Sequence, residues 1–412
     1  MEGYKPDYCG VFIGKGRFME NEEVAECLSR VVSCSSVFGY EGNCGRLLEK
    51  IAEENGLKVE TVPVPDAEDR FNVMITEGAD SYLEKPLGLL LHGHYDTVPV
   101  LDMQDPFDTT VKDNVMCGRG IVDQKGGLVA ALCAAIAVKR AGIKLKKPLC
   151  VAAVVDEESE HRGSYTLAQS GVKAEYAITT EPTDTYTCQF GCKGTTPIRI
   201  KVKGKTAHAG TPWVGINAIE KSMPILDDLM KMQFPEVDLG ELGVKQGTLC
   251  VSMMNAGTAY NNVPGMAEIL MDRRTVPGEN TEFALSQVRE VIENAKKLDC
   301  ELEAEADIAR PDWHWDTIRK HGLNPTLVPT DCKLYDYLNA AAQKAGIGTL
   351  KKSFFNGYND MDFLVNDLGI PTLVFGPGDG TLCHTAHERV DLDQVCQVTE
   401  TMCHLIQTLC AE

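Results

Sequence analysis

Residues 87–98 read LGLLLHGHYDTV, an unbroken apolar run that turns polar at its end. That is the pattern of a strand buried on both faces and ending at a site. Next comes QKGGLVAALCAAIAVKRAG (residues 124–142), with Leu128, Leu132 and Ile136 at helical spacing and an end at Gly142. PLCVAAVV (148–155) is a second buried strand, which delivers Asp156, Glu157 and Glu158. YAITT (176–180) is a third, which delivers Glu181. Such strand–helix–strand repetition predicts an α/β domain on a mostly parallel sheet. Ligands in these sheets bind beyond the carboxyl ends of the strands, and the ionisable residues fall at those ends.

From about Thr195 the pattern changes. PIRIKVKG (197–204) alternates apolar and polar residues, as a half-exposed strand does. TPWVGINAIEKSMPILDDLMKM (211–232) reads as a helix kinked at Pro224. GTLCVSMM and MAEILMDRR are two further strands, FALSQVREVIENAKKL a helix and ELEAEADI a last strand. The β-α-β-β-α-β order predicts a small α+β domain, inserted at 195–308, whose edge strand can pair with a copy of itself. The α/β pattern returns after about Asp312. Because His384 follows the strand-like GIPTLVFGPG, residues 309–412 are expected to complete the domain begun by residues 1–194.

The bulk numbers narrow the partners. A chain of 412 residues, 43% hydrophobic, fits two or three globular domains. Sixty acidic against 40 basic residues leave a net charge of −20, which argues against nucleic acid and anionic membranes as partners. The N-terminus has no signal-peptide pattern, and no apolar stretch reads as long enough to span a bilayer, so the expected location is cytoplasmic. The 16 cysteines are scattered without a CxxC pair and read as reduced thiols, several of them (Cys133, Cys150, Cys250, Cys403) in apolar runs. Trp213, Trp313 and Trp315 read as packing residues.

The strand ends carry the chemistry. His94 and Asp96 stand two apart and point the same way. A metal-bound imidazole needs a partner on its other nitrogen, which Asp96 can supply; a surface His–Asp hydrogen bond is the plainer alternative. His92, deeper in the strand, reads as a packed or hydrogen-bonded histidine. Asp123, in the turn GRGIVDQKGG, is either a helix N-cap or a ligand whose two oxygens bridge two ions. Neither GxxxxGK[ST] nor GxGxxG occurs here, so these glycines do not signal a phosphate site. The three acids of VVDEE repel one another unless something positive is near. Adjacent Glu157 and Glu158 point to opposite sides, so one can bind metal while its neighbour faces a water. Glu181 alone would pass for a loop residue, and in CHTAHE either His384 or His387 can be a ligand. Two histidines and three carboxylates suit two divalent ions, zinc first, with cobalt or manganese as substitutes. The chain therefore reads as a two-metal hydrolase.

Taken together, these motifs resemble the metallo-aminoacylase family of dinuclear zinc amidohydrolases, which includes acetylornithine deacetylase, succinyl-diaminopimelate desuccinylase, aminoacylase and the glutamate carboxypeptidases. The resemblance covers nearly the whole chain, with the motifs in the same order. It implies that His94 and Glu181 hold one zinc, that Glu158 and His384 hold the other, and that Asp123 bridges them and is followed by a cis peptide. It makes Glu157 the general base and Asp96 the residue that orients His94. Glu388 follows His384 at the family's His-x-x-x-Glu spacing, which favours His384 over His387. GKTAHAGTPWVGINAI (204–219) resembles the family's lid signature, whose histidine falls at His208. That implies a homodimer in which His208 reaches the active site of the other subunit. NNVP and MDRRTVPGE match the segment that binds a substrate carboxylate, with Arg274 and Asn262 in that role.

One departure bears on the substrate. Where relatives read GGTSDARFL this chain reads NGYNDMDFL, so Asp362 stands where desuccinylases carry Arg. An acid there repels a second substrate carboxylate and welcomes an amine. The resemblance implies zinc-dependent hydrolysis of the amide bond of a small N-acyl amino acid, as in acetylornithine deacetylase, by a metal-activated water with Glu157 as base. Two alternatives remain. One is a di- or tripeptidase or carboxypeptidase of the same chemistry, acting on a short peptide. The other is a non-catalytic dimeric metal-binding protein, against which an intact Glu157 argues.

Overall fold

The computed structural model describes residues 11–13, 16–309 and 322–411. The chain forms two units. The first comprises the described residues up to Gly191, with Val328–Phe354 and the chain from Asn359 onward; the second comprises Cys192–Leu327 with Phe355–Tyr358. In chain order the main strands are β1 (Lys58–Pro63), β2 (Phe71–Glu77), β3 (Leu87–His94), β4 (Leu149–Val154), β5 (Ala174–Thr179), β6 (Thr187–Cys192), β7 (Gly194–Lys203), β8 (Thr248–Ala256), β9 (Met266–Thr275), β10 (Glu303–Ile308), β11 (Lys351–Phe355) and β12 (Thr372–Val374). The helices used below are α1 (Asn21–Ser33), α2 (Gly42–Glu54), α3 (Gly126–Arg140), α4 (Arg162–Gln169), α5 (Ala218–Met230), α6 (Thr281–Leu298), α7 (Lys333–Lys344) and α8 (Leu392–Cys410).

In the first unit the strands lie in the order β6-β12-β5-β3-β4-β2-β1, with β11 paired to β6. The four central strands β12, β5, β3 and β4 are mutually parallel, and antiparallel strands flank them on both sides. Every residue of β3 and of β4 is buried, which is why these strands read as continuous Leu/Val/Ala runs instead of alternating. The register sets His94 opposite Val154 and His92 opposite Thr179. The residues that follow β3, β4 and β5 therefore emerge along one edge of the sheet. The sequence expectation of an α/β layer on a mostly parallel sheet holds, with the antiparallel flanks as its one elaboration.

α3 is buried from Gly126 through Val138 and packs against α8. It starts as glycines because a Cβ on Gly127 would collide with the Thr180 carbonyl, so only glycine lets the helix seat against the end of β5. The membrane expectation needs one correction. Ile121–Arg140 is long and apolar enough to cross a bilayer, but 94% of that window is buried inside the protein. Lys125 and the glycines at its start disguise it in the sequence, and its apolar surface is spent on the core. Leu128, Leu132 and Ile136 are each at most 1% exposed, and full burial of such a side chain contributes roughly 1.5–3 kcal/mol.

The second unit is a four-stranded antiparallel sheet in the order β8-β9-β7-β10. β7 alternates buried and half-buried residues, so Ile198, Ile200 and Val202 form one face, against which Ile225 and Leu229 of α5 and Val288 and Ile292 of α6 pack. The side-chain oxygens of Asn217 and Asn280 accept N–H groups at the starts of α5 and α6. α5 runs as one helix through Pro224 to Met230. The observed βαββαβ order is that read from the sequence. The unit extends past residue 308, however, because the Thr195 N–H donates to the Leu323 carbonyl (2.9 Å), tying residues after the last strand back to β7. Trp213 is 77% exposed and does not pack as expected. The return of the α/β pattern at Asp312, and Trp313 and Trp315, lie outside the described residues.

Candidate active site

Five chain segments bring ionisable side chains to the carboxyl edge of the first unit's sheet. His94 is the last residue of β3 and is fully buried. Its Nδ1 lies 3.0 Å from the backbone carbonyl of Asp96 and 3.4 Å from the Asp96 carboxylate. That fixes the ring, directs an N–H at Asp96, and leaves Nε2 facing the cluster. Nε2 is 3.2 Å from Asp123 Oδ1, 3.8 Å from Glu181 Oε1 and 4.0 Å from Glu157 Oε2. On the other side, His384 Nε2 is 3.3 Å from Asp123 Oδ2 and 3.0 Å from Glu158. The two oxygens of Asp123 thus face different histidines, each with its own glutamate. The peptide after Asp123 is cis, as the resemblance implied. His384 is 52% exposed and marks the solvent side of the cluster, whereas Glu158 is 6% exposed.

Asp96 does more than the sequence reading gave it. Its two carboxylate oxygens accept the backbone N–H groups of Glu157 (3.2 Å) and Glu158 (3.0 Å), so one buried acid holds both His94 and the start of the acidic loop. Asp156 turns that loop in a left-handed conformation (φ 72°), and His384 adopts another (φ 62°). Each costs a non-glycine residue roughly 1 kcal/mol, a local strain typical of residues held for function. Glu157 and Glu158 then diverge. Glu158 joins Asp123 and His94, whose ligand atoms all lie within 4.8 Å of one another; Glu157 joins His161 and Asp360 within the same span.

The electrostatics of this cluster are unbalanced. Among the described residues, no Lys or Arg pairs with Asp123, Glu157, Glu158 or Glu181. Burial pushes the Glu158 carboxyl up to about 7, and the charge of Asp123 adds to it. Burial and the charge of Asp360 raise Glu157; burial and the charge of Asp123 raise Glu181. Hydrogen bonds to Asp123 and Glu158 lift His384 to about 10. Burial works against an imidazolium at His94, but the charge of Asp96 and the hydrogen bond to Asp123 win and raise it. Left to themselves these groups gather protons, because several carboxylates cannot share a buried site uncompensated. Two divalent cations would supply the missing charge, and five donors from nitrogen and oxygen suit them.

Several residues help to build the site through contacts that sequence spacing does not show. Glu388 had been noted only for its spacing from His384. Its carboxylate accepts from Arg119 Nη1 (2.7 Å) and from the N–H groups of Gly120 (2.9 Å), Val122 (3.0 Å) and Asp123 (3.1 Å). It arrives there because Arg389–Asp391 pairs antiparallel with Val115–Cys117. Gln124 Oε1 accepts from the His94 N–H and the Thr180 hydroxyl, pinning the ends of β3 and β5. Asp360 is fully buried and accepts from Ser164 Oγ (2.5 Å) and from His161 Nδ1 (2.8 Å). His92 Nε2 lies 2.8 Å from the same Ser164 hydroxyl, so His92 is the hydrogen-bonded core histidine expected. The acid run after β4, His92 and the stretch NGYNDMDFL were the sequence signals near this network, but none of them named Asp360 or His161.

Asp362, the departure noted above, is 6% exposed, and its carboxylate accepts the Asn366 side-chain amide. His387 is exposed, and its backbone carbonyl accepts from Arg389. His208, Asn262 and Arg274 belong to the second unit. His208 and Asn262 face each other in an antiparallel bridge and are exposed. Arg274, half-buried on β9, donates to Asp272 (2.7 Å), whereas neighbouring Arg273 is buried against Glu279, Gln287 and the Phe234 ring.

Acetylornithine deacetylase of Yersinia pseudotuberculosis is 27% identical over 365 residues, covering 87% of this chain and 88% of that relative. A tripeptidase from Staphylococcus aureus superposes with a TM-score of 0.77 at 20% identity, over 95% of this chain and 99% of its own. A Bacillus subtilis protein described as a dinuclear metal binding peptidase superposes with a TM-score of 0.69 at 14% identity, over 94% and 98%. These two share the fold. Residues 90–408 match the sequence pattern of peptidase family M20/M25/M40. The chain belongs to peptidase family M20/M25/M40 and is a hydrolase of amide or peptide bonds.

Proposed function

We propose that the protein removes the acyl group from a small N-acyl amino acid by hydrolysing its amide bond, with two divalent metal ions, zinc first, held by His94, Asp123, Glu158, Glu181 and His384. The observation that carries this reading is Asp123, whose two oxygens face His94 and His384 separately at 3.2 and 3.3 Å. When bound, the metal pair would polarise the substrate carbonyl and bring a water's pKa towards neutrality. Glu157, beside the Glu158 side of the loop yet turned towards His161 and Asp360, takes the water's proton and passes it to the leaving amine. Asp96 keeps both partners in place through His94 and the two loop N–H groups.

Arg274 and Asn262 would bind the substrate carboxylate, and His208 would hold the oxyanion in the site of a second subunit. The exposed Trp213, Met223, Met253 and Tyr260 on the second unit support an interface with a second copy there. Acetylornithine deacetylases at 27% identity favour the deacylase reading over the peptidase one. Asp362, which would repel a second substrate carboxylate and welcome an amine, accepts the neutral Asn366 amide and keeps its charge, so it remains the one feature on the peptidase side. The many free cysteines suit a reducing compartment such as the cytoplasm.

The test is free-amine release from N-acetyl, N-succinyl and N-aroyl amino acids beside plain dipeptides, with zinc added. Release from the acylated substrates alone is expected; release from dipeptides alone would overturn the deacylase assignment. In the same assay Glu157→Ala should lose turnover by roughly 10²–10⁴-fold while keeping its metal and fold. An active Glu157→Ala would overturn the base.

A further inference from the structure

A chain of buried hydrogen bonds ends beside Glu157. Its members are His92 on β3, Ser164 in the first turn of α4, His161 just before that helix, and Asp360; none is more than 7% exposed. Counting protons gives the chain a direction. The Ser164 hydroxyl donates its single proton to Asp360 Oδ2 (2.5 Å), so at its other contact, with His92 Nε2 (2.8 Å), it accepts. That places the His92 proton on Nε2, and His92 Nδ1 has no hydrogen-bond partner. An ionised carboxylate only accepts, so His161 Nδ1 donates to Asp360 Oδ1 (2.8 Å). Asp360 is thus gripped at both oxygens, and among the described residues no Lys or Arg pairs with it.

His161 is held as firmly as its partner. Its backbone N–H donates to the Asp156 carbonyl (2.6 Å), which closes the acidic loop on itself. Its own backbone is left-handed (φ 56°), at a cost of roughly 1 kcal/mol for a residue other than glycine. The helix that follows is seated on the end of β4: the Gly163 N–H donates to the Val155 carbonyl (3.0 Å), and a Cβ on Gly163 would collide with that carbonyl. As a result a ring nitrogen of His161, a carboxylate oxygen of Asp360 and one of Glu157 all lie within 4.8 Å of one another. A chain that only tied the helix to the sheet would need neither a left-handed histidine nor a buried carboxylate without a cation.

We propose that His161 is a positioning residue for Glu157: its ring, fixed by Asp360, keeps the Glu157 carboxylate in the orientation that meets the attacking water. Ser164 and His92 act one step further back, by keeping Asp360 in place. The other side of the loop is built alike, with buried Asp96 fixing the ring of His94. A misplacement of about 1 Å near a reacting group costs up to roughly 10²-fold in rate, which sets the scale of the effect. This role rests on Glu157 as the base and is the same whether the substrate is an N-acyl amino acid or a dipeptide.

The test is a double-mutant cycle on the full-length, zinc-loaded protein, read on whichever acylated amino acid or dipeptide the parent hydrolyses. His161→Ala should lower kcat by roughly 10–100-fold, with KM, bound metal and the urea midpoint all close to the parent's. His161→Gln, whose amide reaches as far as the second ring nitrogen, should recover part of that loss. Asp360→Asn changes a fully buried group and is prone to unfold, so Ser164→Ala, which removes one donor from Asp360, is its substitute and should lower kcat in the same way. In a Glu157→Ala background, His161→Ala should cost nothing further within about twofold, because the group it positions is gone. An equal loss of kcat in both backgrounds, or a His161→Ala that instead raises KM or sheds metal, would overturn the positioning role and leave Glu157 as the base. A Glu157→Ala as active as the parent would overturn both.

Discussion

Replacing Glu388 by alanine removes one carboxylate that four donors share, and the cost can be worked from the structure. Glu388 and Arg119 are each 1% exposed in their side chains. The alanine variant would strand the buried backbone N–H groups of Gly120 and Val122, at roughly 1–3 kcal/mol each, and the part-buried one of Asp123 at the low end of that range. It would also leave Arg119 charged and unpaired in the interior, which costs about 3–5 kcal/mol when one partner of a buried pair is deleted. Water entering the space left by the side chain recovers part of this. A net loss near the lower end, about 5 kcal/mol, is expected, comparable with the whole stability of many domains. Glu388→Gln keeps the volume and one acceptor oxygen and should lose about half as much. Urea unfolding should be followed by far-ultraviolet circular dichroism, because Trp213, Trp313 and Trp315 all fall in the sequence span of the second unit. Metal content, measured in parallel, should drop in both variants because the turn that presents Asp123 has lost its anchor. An alanine variant that unfolds within about 1 kcal/mol of the parent and carries as much metal would refute this account.

Three further outcomes follow from the same geometry. Chelation should abolish turnover and lower the unfolding temperature, and adding zinc, cobalt or manganese should restore both, with two ions bound per chain; full activity in the chelated protein would remove the metal reading. Mixing His208→Ala with Glu157→Ala chains should recover activity that neither variant shows alone, and no recovery would count against His208 acting in a second subunit. Gly127→Ala should destabilise the first unit by at least about 1–3 kcal/mol, visible as lost soluble yield or a lower melting temperature, because the new methyl meets the Thr180 carbonyl; unchanged stability would show that α3 can shift.

How much of this was legible in the sequence depended on distance along the chain. β3 and β4 announce themselves because burial on both faces leaves no polar alternation, and the strand-end rule then places His94, Glu158 and Glu181 on one edge without any contact being known. The alternating β7 and the two helices of the second unit were legible for the same local reason, although the first was read from Thr211 and starts only at Ala218, where the Asn217 side chain caps it. Residues that matter through contacts far apart in sequence were not. Glu388 reaches Arg119 across 269 positions, and Asp360 reaches His161 across 199. No period or motif links such pairs. The end of the second unit was missed because a backbone pairing of Leu323, not a composition change, sets it. Trp213 was misread because size and apolarity alone predict packing, whereas the residue is exposed on the second unit.

The run Asp156-Glu157-Glu158 shows how the fold makes such a site tolerable. Three acids in sequence should repel, yet each is given a different surrounding. Asp156 turns back to Arg70 (2.5 Å) and Arg162 (3.4 Å), and Arg70 also binds buried Glu41, so this charge is neutralised by the scaffold. The left-handed backbone at Asp156 then sends Glu157 and Glu158 apart, and the Asp96 carboxylate, accepting both of their N–H groups, fixes the divergence. Glu158 faces His384, which opens to solvent; Glu157 faces the buried His161–Asp360 pair. The first acid is structural, the third has the company of a ligand, and the second sits between them with its carboxyl raised by burial and by Asp360. A carboxyl whose proton affinity has been lifted is better matched to accepting and returning a proton than an ordinary surface glutamate, and that difference follows from where the loop turns.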